Sequence, residues 1–380
     1  MAELDVAIVG AGPVGATLAA LAARPGLDIG LFEARSAPSG DLRTLALSHA
    51  SRERLEEAGA WPTAGATPIT SIHVSQRGGP GRTVIEAREQ KLPALGYTVV
   101  YAALEAALGA RLEALGLAVN FGDACTGIDL QPERATARFA SGKEVRARLL
   151  VLADGGASAA YIPGIAFVEK DYRQHALVAS VRCDRTHGNR AFERFTPQGP
   201  MALLPVQDRY ALVWTAPPAE AQRLIALEEA AFLEQLQISF GDRAGRFLEV
   251  SGRASYPLRL RTVNSTVALR AALVGNAAQA LHPIAGQGLN LGLRDATALA
   301  AAISGASGDE LGGRAMLDAY RESRLRDATR GVAFTDLLVS TFADGRRLPT
   351  WSRGLALSAL DLFPAARRVL AARMIHGAPP

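Results

Sequence analysis

The most constraining feature of the sequence is a glycine-rich turn between two apolar strands near the amino terminus. Residues 5–9 (DVAIV) form a short β-branched run that predicts a buried strand. The turn GAGPVG (10–15) follows, and then a helical stretch that ends near Arg24. A second predicted strand, LDIGLF (27–32), leads directly into Glu33. This order of strand, glycine turn, helix, strand and acid predicts a βαβ unit.

The three glycines of this turn have separate expected roles. Gly10 permits the tight turn, Gly12 lets backbone N–H groups approach a pyrophosphate, and Gly15 lets helix and strand pack closely. The helix then points its positive dipole end at the phosphates. Glu33 lies 18 residues after Gly15, where a carboxylate can accept hydrogen bonds from ribose hydroxyls. The pattern predicts an adenine dinucleotide, either FAD or NAD. The alternative is a tight turn with an unrelated surface glutamate.

Length and composition limit the remaining possibilities. At 380 residues and 39.9 kDa the chain is long enough for two domains, or for one large domain with an insertion. Apolar residues make up 49% and charged residues 21%, which is typical of an ordered globular protein. Cys125 and Cys183 are the only cysteines, which excludes a disulfide framework, a CxxC redox pair and a cysteine-rich metal site. A reducing, cytoplasmic location fits best.

The net charge of +4 is concentrated in the carboxy-terminal tail. Residues 344–380 hold six arginines and two aspartates, so the tail carries +4 and the rest is balanced. A balanced surface argues against nucleic acid as a partner. Leucines among arginines suit an anionic membrane surface, a protein partner such as a biosynthetic complex, or a helical cap on the dinucleotide-binding (FAD) domain. If the tail binds a membrane, the protein would lie at the periphery of the inner membrane.

No segment of the sequence predicts a membrane span. The apolar run at 6–23 follows an acidic start, whereas a signal peptide begins with positive charge.

Elements further along the chain predict an α/β fold with interleaved parts. A helix is predicted at 101–115 and a buried strand in RLLVLADGG (148–156). From 175 to 262, short strands predict a mostly antiparallel sheet, interrupted by a helix near 218–238. A further buried strand, a glycine-rich turn and a helix follow from residue 271.

Four segments resemble motifs of the aromatic-ring flavin monooxygenases, the para-hydroxybenzoate hydroxylase-like family. LVGNAAQALHPIAGQGLNLGLRDA (273–296) resembles their second FAD motif, and ADGGAS (153–158) resembles their DG motif between the flavin and nicotinamide sites. RTLALS (43–48) and AFERFTPQGPMALLP (191–205) resemble the ubiquinone-biosynthesis branch, the polyprenyl-methoxyphenol hydroxylases. The resemblance covers essentially all 380 residues.

The resemblance implies the domain organisation. We expect an FAD-binding, Rossmann-like domain with a parallel sheet, interleaved with a mostly antiparallel β-sheet substrate domain and followed by a carboxy-terminal helical tail. The predicted FAD-binding domain takes 1–72, 95–165 and 265–330, the substrate domain takes 73–94 and 166–264, and the helical region takes 331–380.

The resemblance also implies which residues contact FAD. Besides the three glycines and Glu33, the expected contacts are Arg43, Asp154, Asn276, Pro283, Gly286, Gln287, Gly288, Leu289 and Asn290. The last five lie at a helix start, where free N–H groups and the helix dipole stabilise an anionic reduced flavin. Asn276 falls where relatives place an aspartate against the ribityl chain. Asp154 has a simpler alternative as a turn-forming Asp-Gly pair.

Substrate contacts follow from the same resemblance. Phe195, Gly199 and Pro200 are expected to line the substrate face; from the residues alone they are a strand aromatic and a turn. His282 either faces the substrate side of the flavin or is a structural histidine satisfied by nearby backbone, so no catalytic side chain is assigned. The other histidines share no metal-like spacing, and we expect no metal site.

The chain departs from the family pattern in three places. Tyr161 stands three residues after Ser158, where many relatives have an arginine, so a nicotinamide phosphate contact does not carry over. Ala102 and Ala103 stand where many relatives have a polar or basic flavin contact. Gln279 replaces the usual histidine, so no base is assigned there.

The function implied by the resemblance is FAD-dependent hydroxylation of the aromatic ring of a polyprenylated methoxyphenol in ubiquinone biosynthesis. A flavin C4a-hydroperoxide is the expected oxidant, with O₂ as co-substrate and NADPH or NADH as reductant. Two alternatives stay open: a flavoprotein of the same fold with other chemistry, such as an isoprenoid reductase or a halogenase, and a non-catalytic FAD-containing scaffold subunit. The halogenase signature W-x-W-x-I-P is absent from the sequence.

Overall fold

Three β-sheets and eight helices form the part of the chain that this computed structural model describes. The described residues are 2–78, 81–280, 287–325, 327, 329, 358 and 361–376. The helices are α1 (Pro13–Ala22), α2 (His49–Glu57), α3 (Tyr101–Ala114), α4 (Pro218–Ala226), α5 (Glu229–Phe240), α6 (Gln287–Gly305), α7, whose described part includes 314–325, and α8 (Pro364–His376).

The first sheet holds the predicted βαβ unit. Its strands are β1 (Ala2–Val9), β2 (Ile29–Glu33), β8 (Val119–Phe121), β9 (Cys125–Leu130), β10 (Ala135–Phe139), β11 (Glu144–Leu152), β17 (Val267–Ala268) and β18 (Ala271–Leu273). The order β17-β18-β11-β1-β2-β8 is parallel from β18 to β8, and β10 and β9 extend it antiparallel from β11. The apolar runs predicted at 5–9 and 27–32 fall in its central strands β1 and β2, which are buried on both faces.

The second sheet is long and mostly antiparallel. Its strands are β5 (Ser71–Gln76), β6 (Arg82–Glu86), β12 (Phe167–Cys183), β13 (Arg190–Thr196), β14 (Gly199–Val206), β15 (Arg209–Ala216), β16 (Phe247–Val263) and β19 (Gln279–Ala280). The order is β19-β16-β12-β15-β14-β13-β5-β6, and only β13 and β5 pair in parallel. A third, small antiparallel sheet joins β3 (Thr44–Ser48), β7 (Gly96–Val100) and β4 (Ala66–Ile69).

Separate hydrophobic cores hold these layers together. One core lies between the parallel sheet and helices α1, α2, α3 and α6, and a second covers the other face of that sheet. A third core packs α4 and α5 against one face of the long sheet, around the buried side chains of Trp214 and Phe232. Only one face of the long sheet is therefore covered by its own helices. The α/β fold class is confirmed, while the domain boundaries stay a prediction.

Two predictions for the long sheet were wrong in detail. Strands β12 and β16 are 17 residues long rather than short. They pair through a charged segment in which the register shifts between Asp171 and His175, and Arg173 adopts a φ of 53°. The single helix expected near 218–238 is two helices, because Leu227 and Glu228 adopt extended backbone conformations between α4 and α5.

Candidate FAD and substrate site

The glycine turn lies where the ends of two parallel strands meet. Gly10 adopts a φ of 103°, and a side chain there would come within 2.5 Å of the backbone of Ala153 and Asp154 at the end of β11. A side chain on Gly15 would overlap the carbonyl oxygen of Gly10. Both positions therefore require glycine because the backbone passes so closely.

Gly12 differs from the other two glycines because space is open around it. It is the N-cap of α1 and has an ordinary φ of −67°, and no side chain caps the helix. A Cβ there would meet only the Tyr101 hydroxyl, 3.8 Å away. The first N–H groups of a helix lack partners within the helix, so this uncapped start can receive an anion. The turn fits the pyrophosphate of an adenine dinucleotide.

Glu33 closes the turn at the end of β2. It is 8% exposed, and its carboxylate accepts a hydrogen bond from the Ala11 N–H (3.0 Å). Arg35 donates to the same carboxylate from its backbone N–H (3.1 Å), Nε (3.1 Å) and Nη2 (3.2 Å). Burial alone would raise the pKa of Glu33, but the hydrogen bonds from Arg35 outweigh burial and hold the pKa below its usual value. The group is thus an ionised acceptor beside the turn, which suits ribose hydroxyls.

Arg35 was not singled out from the sequence, although it follows Glu33 by only two residues. Its Nη1 lies 2.8 Å from Oε1 of Glu105 on α3, so it connects the end of β2 to that helix. Arg35 and Glu105 line a small pocket that also includes Ala11 and Phe121. This pocket adjoins the turn and combines a charged rim with an apolar wall.

Arg43 lies beside the start of α3, because its carbonyl oxygen accepts from the Tyr101 N–H. Its Nε is 2.6 Å from Oδ2 of Asp41, and its guanidinium lies 5.3 Å from the centroid of the Tyr101 ring. Tyr101, the residue before Ala102 and Ala103, is therefore the polar side chain at this helix start. The sequence places it directly before the two alanines, but the interpretation passed over it.

The DG motif folds its own turn beside Gly10. Oδ1 of Asp154 accepts from the Gly156 N–H (2.9 Å), and Oδ2 accepts from the Ser158 N–H (2.8 Å). Arg261, on β16, donates from Nη2 to the carbonyl oxygens of Gly155 and Asn276, the latter at 3.4 Å. The Asp154 carboxylate thus stabilises its own turn, as the alternative interpretation expected. A contact between Asp154 and a cofactor stays a prediction. Arg261 connects the DG turn to the second FAD motif, a role the sequence interpretation missed.

The second FAD motif connects the two large sheets. It leaves β18, passes the exposed residue Asn276 and pairs with β16 at β19. His282, Pro283 and Gly286 lie outside the described residues. The motif continues in α6, where Gln287 is buried, a Cβ on Gly288 would meet nothing within 4 Å, and Leu289 is partly exposed.

Asn290 anchors α6 to the small sheet. Its Oδ1 accepts from the Ser48 N–H (2.8 Å) and its Nδ2 donates to the Ala46 carbonyl oxygen (3.1 Å). The side chain is 2% exposed. The RTLALS segment and the second FAD motif are therefore held together directly, 242 residues apart in sequence.

Gln279 has a structural role here. Its Nε2 lies 2.6 Å from Oδ2 of Asp295, which also accepts from the Gly275 N–H (3.1 Å). Oδ1 of Asp295 accepts from Nε of Arg324 on α7 (2.8 Å). This buried cluster fixes the second FAD motif to α6 and α7.

The expected substrate residues lie together on the β13–β14 hairpin of the long sheet. Phe195 pairs with Pro200, and Gly199 pairs with Thr196. Phe195 is 6% exposed, and Gly199 and Pro200 are also buried. Their contact with a substrate stays a prediction. Within the described part of the chain, no group of three or more His, Cys, Asp or Glu side chains is arranged to hold a metal ion.

Comparisons with known proteins agree with this geometry. A family model described as an FAD binding domain matches residues 3–335. The ubiquinone hydroxylase UbiL of Rhodospirillum rubrum is 35% identical over 377 residues, which covers 96% of this chain and 88% of that protein. The 3-demethoxyubiquinol 3-hydroxylase of Escherichia coli is 31% identical over 378 residues and covers 96% of each chain.

Solved structures share the fold as a whole. The p-nitrophenol 4-monooxygenase PnpA of Pseudomonas putida has a TM-score of 0.79 at 18% identity, with 100% of both chains covered. The family model and the two relatives confirm the family expected from the sequence motifs. The chain therefore belongs to the family of FAD-dependent monooxygenases that carry this FAD binding domain.

Proposed function

We propose that this chain hydroxylates the aromatic ring of a polyprenylated methoxyphenol in ubiquinone biosynthesis, with FAD as cofactor, O₂ as co-substrate and NADPH or NADH as reductant. The observation that supports this most is the 35% identity to a ubiquinone hydroxylase across 96% of the chain. The glycine turn, Glu33 and the second FAD motif fit the cofactor that such a reaction requires.

Two regions of the described chain would bind FAD. Gly12 and the start of α1 would bind the pyrophosphate, and Glu33 would bind the ribose. The start of α6, which Asn290 anchors to β3, would present N–H groups to the ring. Arg43 and Asn276 are proposed as further contacts. When bound, FAD supplies the redox chemistry that activates O₂, while the protein orients the substrate and excludes water.

Purified holoenzyme should consume O₂ and reduced nicotinamide only when a geranylated ortho-methoxyphenol is present. The product should contain one additional oxygen atom on the ring, as determined by mass spectrometry with labelled O₂. If the protein consumes no oxygen either with or without the phenol, the result would favour a scaffold subunit. Reduction of the prenyl double bonds would favour an isoprenoid reductase, and halide-dependent turnover would favour a halogenase.

The identity of the natural substrate can be tested in cells. Cells that lack this protein should accumulate a prenylated phenol with one hydroxyl group missing, and expression of the chain should remove it. Lipid extracts resolved by mass spectrometry would give the prenyl length and the ring position. An unchanged lipid profile would argue against a role in ubiquinone biosynthesis.

We further propose that the protein lies on an anionic membrane through the outer face of α8. The inner face of α8 packs Ala371 and Ile375 on the edge of the long sheet, and Arg367 pairs with Glu89 at 2.7 Å. The helical-cap alternative placed the tail on the FAD domain, whereas α8 contacts the edge of the long sheet as well as α2 and β3. Arg368 is exposed at the rim of the inner face, three and seven residues before Ala371 and Ile375.

Exposed apolar side chains accompany Arg368. Leu362 is 76%, Phe363 62% and Val369 71% exposed. Apolar side chains beside a basic residue suit the headgroup region of a bilayer, where a prenylated substrate would also reside. Within the described residues, no helix has the length and hydropathy needed to cross a membrane.

Reversing the charge of Arg368 should weaken liposome binding. Each basic residue at an anionic surface contributes about 1 kcal/mol, so Arg368→Glu should reduce the affinity for phosphatidylglycerol vesicles by about 2 kcal/mol, roughly 30-fold. Arg367→Glu is a poorer test because it also breaks the contact with Glu89. Arg146→Glu, an exposed arginine on β11, is the matched control. Equal binding by the Arg368 and Arg146 variants would leave α8 with a structural role alone.

A further inference from the structure

A single carboxyl group stands in the centre of β13 on the face of the long sheet that α4 and α5 leave uncovered. Its neighbours Phe192 and Arg194 point to the helix side: the Phe192 ring lies 5.7 Å from the Phe240 ring, and Arg194 Nε lies 3.4 Å from the Ser239 carbonyl oxygen. Side chains alternate along a strand. Glu193 therefore points to the opposite face.

The surroundings of Glu193 on this face are apolar. Its cross-strand partners are Val74 on β5 and Ala202 on β14. The same row continues through Val213 on β15 and Val178 on β12. Directly paired residues share a face of the sheet, so these side chains form one wall across five strands.

This wall is less deeply buried than the helix side. Val74, Glu193, Ala202, Val213 and Val178 are all partly exposed. On the helix side, by contrast, Leu177, Met201, Leu203 and Trp214 are at most 1% exposed. This face thus presents an apolar wall, partly accessible, with one carboxyl group in it.

The wall lies toward the candidate FAD site. The small sheet packs against β14, where the Thr98 hydroxyl donates to the Pro205 carbonyl oxygen. Asn290 fastens the start of α6 to β3 of that small sheet. Leu95, which precedes β7, packs in one apolar cluster with Ile72, and Ile72 shares the face of Val74 on β5. The small sheet, and with it the start of α6, therefore lies on the Glu193 side of the long sheet.

No partner among the described residues explains the presence of Glu193. Among the described residues, no hydrogen bond or ion pair to its carboxyl group occurs. The residues two positions away on the same face, Ala191 and Phe195 on its own strand, carry no charge, and neither do Val74 and Ala202 across from it. Burial alone raises the pKa of Glu193 to about 8. An unpaired carboxyl in apolar surroundings costs stability, which is typical of a group retained for function.

We propose that Glu193 accepts the proton of the substrate's phenol hydroxyl during ring hydroxylation, an inference that rests on the proposed function. The phenol O–H bond breaks and its proton moves to the carboxylate, so the electron pair left on oxygen enriches the ring for attack on the activated oxygen atom. The hydroxylated ring is at first a dienone. It becomes aromatic again when the ring C–H proton leaves to water and Glu193 returns its proton to the original oxygen. O₂ supplies the oxygen atom and the nicotinamide the two electrons, as the proposed function already requires.

The test is single-turnover hydroxylation of a geranylated ortho-methoxyphenol by reduced holoenzyme mixed with O₂, from about pH 6 to about pH 10. Wild-type rates should rise with pH and level off above about 8, because the carboxylate is the active form. Glu193→Gln keeps a hydrogen-bond acceptor but cannot take a proton. Its rate should fall about 100-fold near pH 7. Above pH 7 the rate of this variant should increase about tenfold per pH unit, because the phenol, with a pKa of about 10, ionises in solution.

Two further variants separate this role from a structural one. Glu193→Asp keeps a carboxyl group, so its rate should still rise with pH and level off, but at a lower maximum. Glu234→Gln makes the same chemical change on the exposed surface of α5 and should match wild type. FAD content and melting temperature show whether each variant is folded.

The outcomes distinguish this proposal from the proposed function. A Glu193→Gln profile equal to wild type, or a loss of rate that is the same at every pH, would overturn the assignment of Glu193. If wild-type enzyme itself forms no hydroxylated product, the proposed function fails instead.

Discussion

Replacing Gly12 with valine should abolish FAD binding while the apoprotein stays folded. A Cβ at this position would meet only the Tyr101 hydroxyl at 3.8 Å, and the backbone φ of −67° is open to any residue. The side chain would instead fill the space through which a pyrophosphate reaches the free N–H groups of α1. Loss of two such hydrogen bonds to a charged group costs at least about 3 kcal/mol, which is more than 100-fold in affinity.

The measurements are the FAD content after purification, the dissociation constant for added FAD, and the melting temperature of the apoprotein. The apoprotein should melt within about 3 °C of wild type, since exchanging an N-cap glycine for valine costs about 1 kcal/mol or less. Gly15→Val is the matched comparison. Its side chain would overlap the Gly10 carbonyl oxygen, so this variant should lose the fold together with FAD. Full retention of FAD by Gly12→Val would falsify the pyrophosphate assignment.

The contrast between these glycines shows what the sequence can and cannot supply. The spacing of Gly10, Gly12 and Gly15 between two apolar strands predicted the βαβ unit correctly, because parallel strands must be buried and the turn must be tight. Glu33 was also placed correctly at the end of β2. Local chemistry fixes this unit, so it can be predicted from a short stretch of sequence.

The long sheet was predicted less well because part of it lacks the alternation of apolar and polar residues by which a strand is identified. The first part of β12 is a charged, exposed ribbon that pairs with β16, residues that lie roughly 90 positions later in the chain. It has no buried face, so the alternation that signals a strand is absent. The turn formed by Asp171 and Arg173 inside β12 also interrupts the pattern. Only the partner strand makes this segment extended.

The same limit applies to the site. The motifs identified Asp154, Asn290 and Gln279 as positions of interest, but not the groups they contact. The Asn290 amide bonds to the backbone of β3, and the Asp154 carboxylate bonds to its own turn. Arg261, which joins the DG turn to the second motif, lies 106 residues from Gly155 and belongs to neither pattern. Such contacts exist only once the sheets are assembled.

The buried cluster around Asp295 should be the most sensitive point of the scaffold outside the glycine turn. Asp295 is 2% exposed and Arg324 is 7% exposed, and their closest atoms are 2.8 Å apart. Arg324→Leu would leave a buried carboxylate without its cation. Breaking a buried pair from one side costs about 3–5 kcal/mol. We therefore expect the free energy of unfolding to fall by about that amount, with FAD content reduced because Asp295 also holds Gly275 and Gln279.

The pH dependence and a double variant test the cause of this loss. Burial raises the pKa of Asp295, and Arg324 opposes that rise, so in Arg324→Leu the carboxyl should take up a proton more readily in the folded state. A group with a raised folded-state pKa stabilises the protein increasingly as pH falls. The deficit of the variant should therefore shrink toward acid pH, and adding Asp295→Asn should recover part of the stability at neutral pH. Arg138→Leu, which breaks an exposed pair with Glu144, should cost less than about 1 kcal/mol at any pH. If Arg324→Leu cost no more than Arg138→Leu, Asp295 would not depend on Arg324 for its charge, and the hydrogen bonds from Gly275 and Gln279 would suffice to hold it.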